Sequence, residues 1–224
     1  MKWVTNSIDK TRSLKDHYKL HSIDIIIKDP LPEYIDMDFV VKYVSLRIPS
    51  FFLKGVDVIY VGQFNSLIQK QVNALYEDGA IYITNEQNDD ADMIDDLIHE
   101  LAHSVEENFT EMIYSDGMLE IEFLKKRRLL QASLLHAKQK TPPLQFLVTS
   151  AYDQEIDDYL YKDIGYTALW SYVVGIFPSP YAATSLREYF ARGFEEFYMG
   201  EKKSLTKNNS VLYSKLQELA DLED

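Results

Sequence analysis

Three short stretches of the chain carry the apolar, β-branched pattern of buried strands. They are residues 24–28 (DIIIK), 57–61 (DVIYV) and 80–84 (AIYIT). Between the first two, apolar residues from position 37 to position 46 recur near helical spacing, and Pro49 then interrupts the pattern. The first part of the chain therefore predicts a small sheet with an intervening helix.

From residue 93 onward the apolar spacing becomes that of an α-helix. Six side chains recur three or four positions apart and would form one buried stripe, namely Ile94, Leu97, Ile98, Leu101, Ala102 and Val105. Asp90 or Asp92 could cap the start of this helix. Similar patterns predict helices over about residues 120–138, 144–162, 184–199 and 210–222, and residues 166–177 are apolar enough to belong to the core.

These patterns together predict an α+β fold. We expect one domain over residues 1–224, with an N-terminal α/β part at about residues 20–110 and a mostly helical part at about 111–224. A chain of 224 residues can bury one sizeable core.

Charge and composition narrow the classes of partner. The net charge of −13 disfavours binding to nucleic acid or to an anionic membrane. Because the chain has no cysteine, any metal must be held by His, Asp or Glu. No N-terminal apolar run resembles a secretory signal, and no stretch is long enough to span a membrane. We therefore expect a cytoplasmic protein, or one secreted by a non-standard route.

The predicted helix from residue 93 carries the sequence HELAH. His99 and His103 are four residues apart, so both imidazoles lie on one face and can bind one zinc ion. Glu100 is rotated by about 100° from His99 and can instead take a proton from a metal-activated water. The alternative interpretation is an amphipathic helix in which HELAH is accidental.

A catalytic zinc needs a third protein ligand, and the residues after His103 do not supply the extended motif with a further His. The candidates lie downstream: His136, or a carboxylate of the predicted helix over residues 184–199. Glu188 stands among apolar residues near the start of that helix, where burial is costly unless the carboxylate is paired or metal-bound. Glu195 and Glu196 are rivals, which a solvated acidic face would also explain.

The chain resembles the anthrax lethal factor-like zinc metallopeptidases, a zincin family that includes the Pro-Pro endopeptidases. The resemblance rests on HELAH, on EYFA from Glu188, and on Tyr181, seven residues before that glutamate. It implies that Glu188 is the third zinc ligand and that Tyr181 stabilises the oxyanion. It also implies that the strand before the HELAH helix is the edge strand that pairs with peptide substrate, here Ala80, Ile81, Tyr82, Ile83 and Thr84.

The resemblance implies a zincin-like fold, one zinc ion and a zinc-dependent metalloendopeptidase that acts on a peptide or protein substrate. The alternative is a catalytically inactive zincin-fold protein with a binding or structural role, for example a phage or toxin accessory protein. Glu188 follows His103 by 85 residues, which is longer than the family leads us to expect. The additional length could cover the cleft, build a substrate pocket or bind a partner.

Overall fold

The computed structural model describes residues 17–200 and 202–223. Their architecture is α+β, as predicted, with a five-stranded sheet and many helices. They divide into two compact units, with the boundary between Val105 and Glu106. The prediction of one domain over residues 1–224 stays a prediction.

The first unit holds all strands of the described residues and three helices. Their bounds are β1 His17–Leu20, β2 Ile23–Ile27, α1 Met37–Ser45, β3 Val58–Val61, α2 Asn65–Lys70, β4 Ala74–Glu77, β5 Ala80–Ile83 and α3 Asp90–Asn108, whose last turn belongs to the second unit. A 3-10 turn, Ser50–Gly55, leads into β3.

The sheet is mixed, with strand order β1-β2-β3-β5-β4. The three predicted strands form its centre: β2 pairs with β3 and β3 pairs with β5, both in parallel. The flanking strands β1 and β4 are antiparallel to their neighbours. Alternate residues of the central strands, such as Ile25, Ile59 and Ile81, are completely buried, so one face of the sheet builds the core of this unit.

The expectation that residues 80–84 form an edge strand is wrong. Strand β5 is paired on both sides, with β3 and with β4. Thr84 is engaged as well, because its N–H donates to the carbonyl of Asn73 at 2.8 Å. Since both edges of β5 are occupied, an extended peptide cannot pair with it. In the part of the chain that the structure describes, the outer strand on this side of the sheet is β4.

A two-residue turn explains why β4 exists. Asp78 and Gly79 join the paired residues Glu77 and Ala80, and their φ angles are 49° and 79°. Positive φ at both central residues defines a type I′ turn, for which Asp-Gly is a preferred sequence. The turn folds residues 74–77 back along β5 as a hairpin.

The second unit is helical. Its elements are α4 Thr110–Tyr114, α5 Met118–His136, a 3-10 turn Leu144–Leu147, α6 Gln154–Asp158, a π-helical turn Tyr159–Ile164, α7 Tyr166–Val173, a 3-10 turn Tyr181–Ala183, α8 Leu186–Met199, α9 Lys202–Asn208, α10 Ser210–Ala220 and a final 3-10 turn Asp221–Glu223. Helix α8 packs against the Tyr181–Ala183 turn and against α9 and α10, while α5 packs against α4, α7, α8 and α10.

Two predictions for this unit need correction. The continuous helix over residues 144–162 is broken into a 3-10 turn, a loop, α6 and a π-helical turn, and Asp153 caps α6 by accepting from the N–H groups of Glu155 and Ile156. Residues 166–177 only partly belong to the core: Leu169 is buried, whereas Trp170 and Val174 are largely exposed. Among the residues described here, no helix has the length and apolar character needed to cross a membrane.

Candidate metal centre

Helix α3 presents the HELAH motif on its buried side. The predicted apolar stripe is confirmed, because all six of its side chains are buried. The helix begins at Asp90, about two and a half turns before His99. Its cap is not Asp90 or Asp92 but Asp89, whose carboxylate accepts from the Asp92 N–H at 2.9 Å. Burial of the stripe turns the histidine face inward, and His99 and His103 are only 9% and 6% exposed.

The two imidazoles meet through their Nε2 atoms. Nε2 of His99 and Nε2 of His103 are 3.2 Å apart, and the rings are nearly perpendicular, with an interplanar angle of 89° and centroids 4.7 Å apart. Both nitrogens therefore point toward one position beside the helix. The i, i+4 spacing produces this convergence directly.

The separation of the two nitrogens suits shared metal binding. Two Zn–N bonds of about 2.0–2.1 Å at a tetrahedral angle place their nitrogens about 3.3–3.4 Å apart. The observed 3.2 Å is close to that value. A single N–H···N hydrogen bond, with one ring donating and the other accepting, gives a similar separation. The residue types and the geometry thus fit a cation, without requiring one.

Glu100 lies beside the histidine pair and contacts strand β4. A carboxylate oxygen of Glu100 and a ring nitrogen of each histidine lie within 4.8 Å of one another, and Glu100 is 6% exposed. Its Oε2 accepts from the backbone N–H of Tyr76 on β4 at 2.6 Å. Along an antiparallel pair, the backbone N–H groups of one strand point alternately toward and away from the neighbouring strand. Asn73 is hydrogen-bonded to Thr84, so the residues of β4 that face β5 are the odd-numbered ones, and the N–H of Tyr76 points away from β5.

This contact identifies a residue that our sequence reasoning missed. The Tyr76 amide belongs to the edge strand, and we assigned no strand to residues 74–77. The sequence does contain the signal, because Asp78-Gly79 directly before a predicted strand is typical of a two-residue hairpin. The hairpin would have placed β4, not β5, on the outside.

A polar pair lies on the histidine face, one turn before His99. Asp96 shares that face by its i, i+3 spacing from His99, and its Oδ2 accepts from Nε2 of Gln87 at 2.9 Å. Gln87 is itself buried, and its carbonyl accepts from the hydroxyl of Tyr34 at 3.0 Å. A carboxylate at this position can fix the orientation of a neighbouring imidazole.

The other two predicted site residues, Tyr181 and Glu188, lie in the second unit. Ser185 caps α8, its hydroxyl accepting from the N–H of Glu188 at 3.1 Å, so Glu188 stands in the first turn of the helix. Tyr181 belongs to the 3-10 turn that packs on α8. Oε2 of Glu188 is buried within the protein.

Tyr166 connects these two residues. Its ring contacts that of Tyr181 edge-on, with centroids 6.2 Å apart. Burial raises the pKa of Tyr166 well above its usual range, and the charges of Asp157, Tyr181 and Glu188 add to this effect. Tyr181 and Glu188 are therefore both close enough to Tyr166 to influence the pKa of its hydroxyl.

The rival ligands have other surroundings. His136 is exposed at the end of α5. Glu195 is buried, which corrects the alternative of a solvated acidic face, and its carboxylate pairs with Nη1 of Arg192 at 2.7 Å. Glu196 is half-buried. The stripe of Phe190, Phe194 and Phe197 on the same helix is buried, as its spacing predicts.

Within the described residues, His99, Glu100 and His103 form the group of side chains placed to hold a metal ion. Comparisons of the chain with protein-family models, with curated proteins and with solved structures gave no match.

Proposed function

We propose that this protein is a zinc-dependent metalloendopeptidase with a zincin-like fold. The observation that carries the proposal is the 3.2 Å separation of the His99 and His103 Nε2 atoms on a buried helix, next to the carboxylate of Glu100. Two neutral imidazoles with a carboxylate as third ligand are a donor set typical of catalytic zinc. A protein without cysteine can offer such a set only from His, Asp and Glu.

In this proposal His99, His103 and Glu188 hold one Zn²⁺. A zinc ion in such a site acts as a Lewis acid toward a peptide carbonyl and lowers the pKa of water toward neutrality. The burial of Oε2 of Glu188 supports its choice as the third ligand, because a buried carboxylate oxygen is costly unless it is paired or metal-bound.

Glu100 is the general base of the proposed reaction. Its carboxylate takes a proton from the attacking water and then delivers it to the leaving amine, which balances the protons over one hydrolysis. In the structure it is occupied by the Tyr76 N–H at 2.6 Å, which holds the carboxylate beside the histidines. A group held in this way loses little conformational freedom when it acts.

Tyr181 would donate its hydroxyl to the oxygen anion that forms on the carbonyl. Removal of one such donor typically costs about 10²–10³-fold in kcat. Its place beside Glu188, through Tyr166, supports this role, because donor and third ligand are required at the same centre.

The substrate strand is reassigned from β5 to β4. Among the described residues β4 is the outer strand on its side of the sheet, and its Tyr76 N–H donates to Glu100 on the helix that carries the motif. An extended peptide that pairs with β4 would therefore run past Glu100. The proposed contacts are with the backbone of Ala74–Glu77 rather than with residues 80–84.

Metal content and hydrolysis of the purified protein test the proposal together. We expect about one zinc per chain by elemental analysis, and cleavage of a diverse peptide mixture that stops on chelation. Glu100→Gln should keep the metal but lower kcat by about 10²–10⁴-fold, because only the base is lost. Glu188→Ala should lose metal affinity. Glu107→Gln, at an exposed position of the same helix, is the matched control and should change neither property.

The third ligand, the catalytic activity and the metal centre can each be refuted by a different result. Stoichiometric zinc in Glu188→Ala would move the third ligand to another residue. Zinc binding without hydrolysis of any peptide would favour the inactive zincin-fold protein. A chain that binds no zinc, and that keeps its properties in His99→Ala, would refute the metal centre.

A further inference from the structure

Arg127 is an unusual residue of the second unit, a cation with no exposed surface. It lies in the middle of α5, where residues 125–128 read Lys-Lys-Arg-Arg. Lys125 and Arg128 are exposed, as expected of a basic patch, but Arg127 is 0% exposed. Burial of an arginine is costly unless its charge and its N–H groups have partners, so the surrounding residues must supply them.

The hydrogen-bond acceptors around the Arg127 guanidinium are main-chain carbonyls from two segments. Nη1 donates to the carbonyls of Phe146 at 3.3 Å and Thr149 at 2.7 Å. Nε donates to Ala183 at 3.0 Å, and Nη2 donates to Thr184 at 2.6 Å. One side chain thus joins the loop after the Leu144–Leu147 turn to the segment that precedes α8.

The surroundings favour an arginine over a lysine. The guanidinium carbon lies 4.5 Å from the centroid of the Phe123 ring and 4.9 Å from that of Phe146. Desolvation by burial lowers the pKa of Arg127, and the charge of Asp153 acts against this effect. A planar fork with five N–H groups can serve four carbonyls while it stacks on rings, whereas an ammonium group offers three donors and no plane.

The anchored segment is the one that carries the proposed catalytic tyrosine. Ala183 ends the turn that begins with Tyr181, and Thr184 is followed by Ser185, the cap of α8. A further bond joins the two anchored segments, from the N–H of Leu186 to the carbonyl of Ser150 at 2.7 Å. The backbone of residues 181–186 is therefore held by Arg127 on α5 and by Ser150 in the loop after the Leu144–Leu147 turn.

We propose that Arg127 is a positioning residue of the reaction: through the carbonyls of Ala183 and Thr184 it holds the turn that carries Tyr181. This inference rests on the proposed function, because it needs Tyr181 to act on the substrate. It also assigns a role to the additional length between His103 and Glu188, because α5 lies in that segment and its Arg127 holds the Tyr181–Ala183 turn. Loss of the anchor should slow the chemical step and leave substrate binding largely unchanged.

A double-mutant cycle with Tyr181 tests this role. Arg127→Lys should lower kcat about 10–100-fold with KM changed less than about twofold, and Tyr181→Phe should lower kcat about 10²–10³-fold. If Arg127 acts through Tyr181, the double variant should be no slower than Tyr181→Phe alone. Arg128→Lys, at the exposed neighbour, is the control and should leave kcat unchanged. Assays at 15 °C, with the fold checked by near-ultraviolet circular dichroism, separate this effect from unfolding.

Hydrogen exchange gives a measurement that needs neither metal nor substrate. Amides of residues 181–186 should exchange at least tenfold faster in Arg127→Lys, with no change in residues 17–105. Phe146→Leu, which removes one ring and leaves all four carbonyl acceptors, should show a smaller change in the same direction and replaces Arg127→Lys if that variant does not fold.

Two results would overturn the inference. One is a double variant whose loss in kcat equals the product of the two single losses. The other is amide hydrogen exchange in residues 181–186 that Arg127→Lys leaves unchanged. A wild-type chain without zinc or hydrolysis would instead refute the proposed function. In that case exchange alone decides whether Arg127 anchors the segment.

Discussion

Gly193 lies in the interior of α8, where alanine would normally be a better residue. Alanine stabilises a helix interior by about 0.8–1 kcal/mol relative to glycine. A methyl group at residue 193, however, would overlap Cδ2 of Leu212 on α10 and lie 2.8 Å from its Cγ. We predict that Gly193→Ala destabilises the protein despite the gain in helix propensity.

The size of the effect follows from the confinement of Leu212. Its side chain is completely buried, so it cannot swing into solvent to relieve the overlap. Extra methyl groups in a close-packed core typically cost about 1–3 kcal/mol. After subtraction of the gain of about 1 kcal/mol in helix propensity, the net loss in free energy of unfolding is about 0–2 kcal/mol.

Leu212→Ala supplies the control, because it removes the atoms that clash. That change alone should cost about 2–5 kcal/mol, but Gly193→Ala should then stabilise the protein by about 1 kcal/mol. Urea titrations of the four proteins, followed by circular dichroism at 222 nm, give the four free energies. Stabilisation by Gly193→Ala in the presence of Leu212, or destabilisation in both backgrounds, would refute the close approach of α8 and α10.

Two further predictions concern Glu122, which is half-buried, and Lys126, which is buried, both on α5. Glu122→Ala should lower the free energy of unfolding by about 2–4 kcal/mol in urea titration, because its carboxylate accepts from the N–H groups of Val211 and Leu212 and from the Tyr189 hydroxyl; a loss below 0.5 kcal/mol would contradict this. Burial lowers the pKa of Lys126 to about 8, so the folded form releases a proton that the unfolded chain retains up to its ordinary pKa of 10.5. Stability should therefore rise with pH from about 8 toward 10, and this rise should disappear in Lys126→Met; a slope that persists in the variant would assign it to another group.

The centre of the sheet could be predicted from the sequence, whereas its edges could not. Strands β2, β3 and β5 are short runs rich in Ile, Val and Tyr, residues that favour a sheet and stand out in the sequence. Strand β1 reads HYKL and is mostly half-buried or exposed, so no apolar run marks it. Strand β4 is marked only by its turn, and because we did not predict it, we expected residues 80–84 to be the edge strand.

The error in residues 144–162 has a tertiary cause. Helical spacing continues through that stretch, but Arg127 takes the carbonyls of Phe146 and Thr149, and Leu186 takes that of Ser150. These carbonyls then serve partners that are distant in sequence. Apolar periodicity does not register such long-range hydrogen bonds, so the sequence alone favours an unbroken helix.

The candidate site divides in the same way. Local spacing suffices to predict that His99 and His103 converge, because both lie on one helix. The choice of the proposed third ligand depends on packing between distant segments, which helical spacing does not register. The structure separates them by neighbours: Glu195 pairs with Arg192, while Glu188 lies beside Tyr181 and Tyr166.

The carbonyl cradle around Arg127 has a consequence for how this protein can diverge. Every amino acid supplies a carbonyl, so the four hydrogen bonds that Arg127 donates do not depend on which side chains stand at the accepting positions, provided the backbone keeps its path. The guanidinium has no such substitute. Selection on these hydrogen bonds should therefore act on the identity of residue 127, whereas selection at the accepting positions should reflect only how their side chains pack.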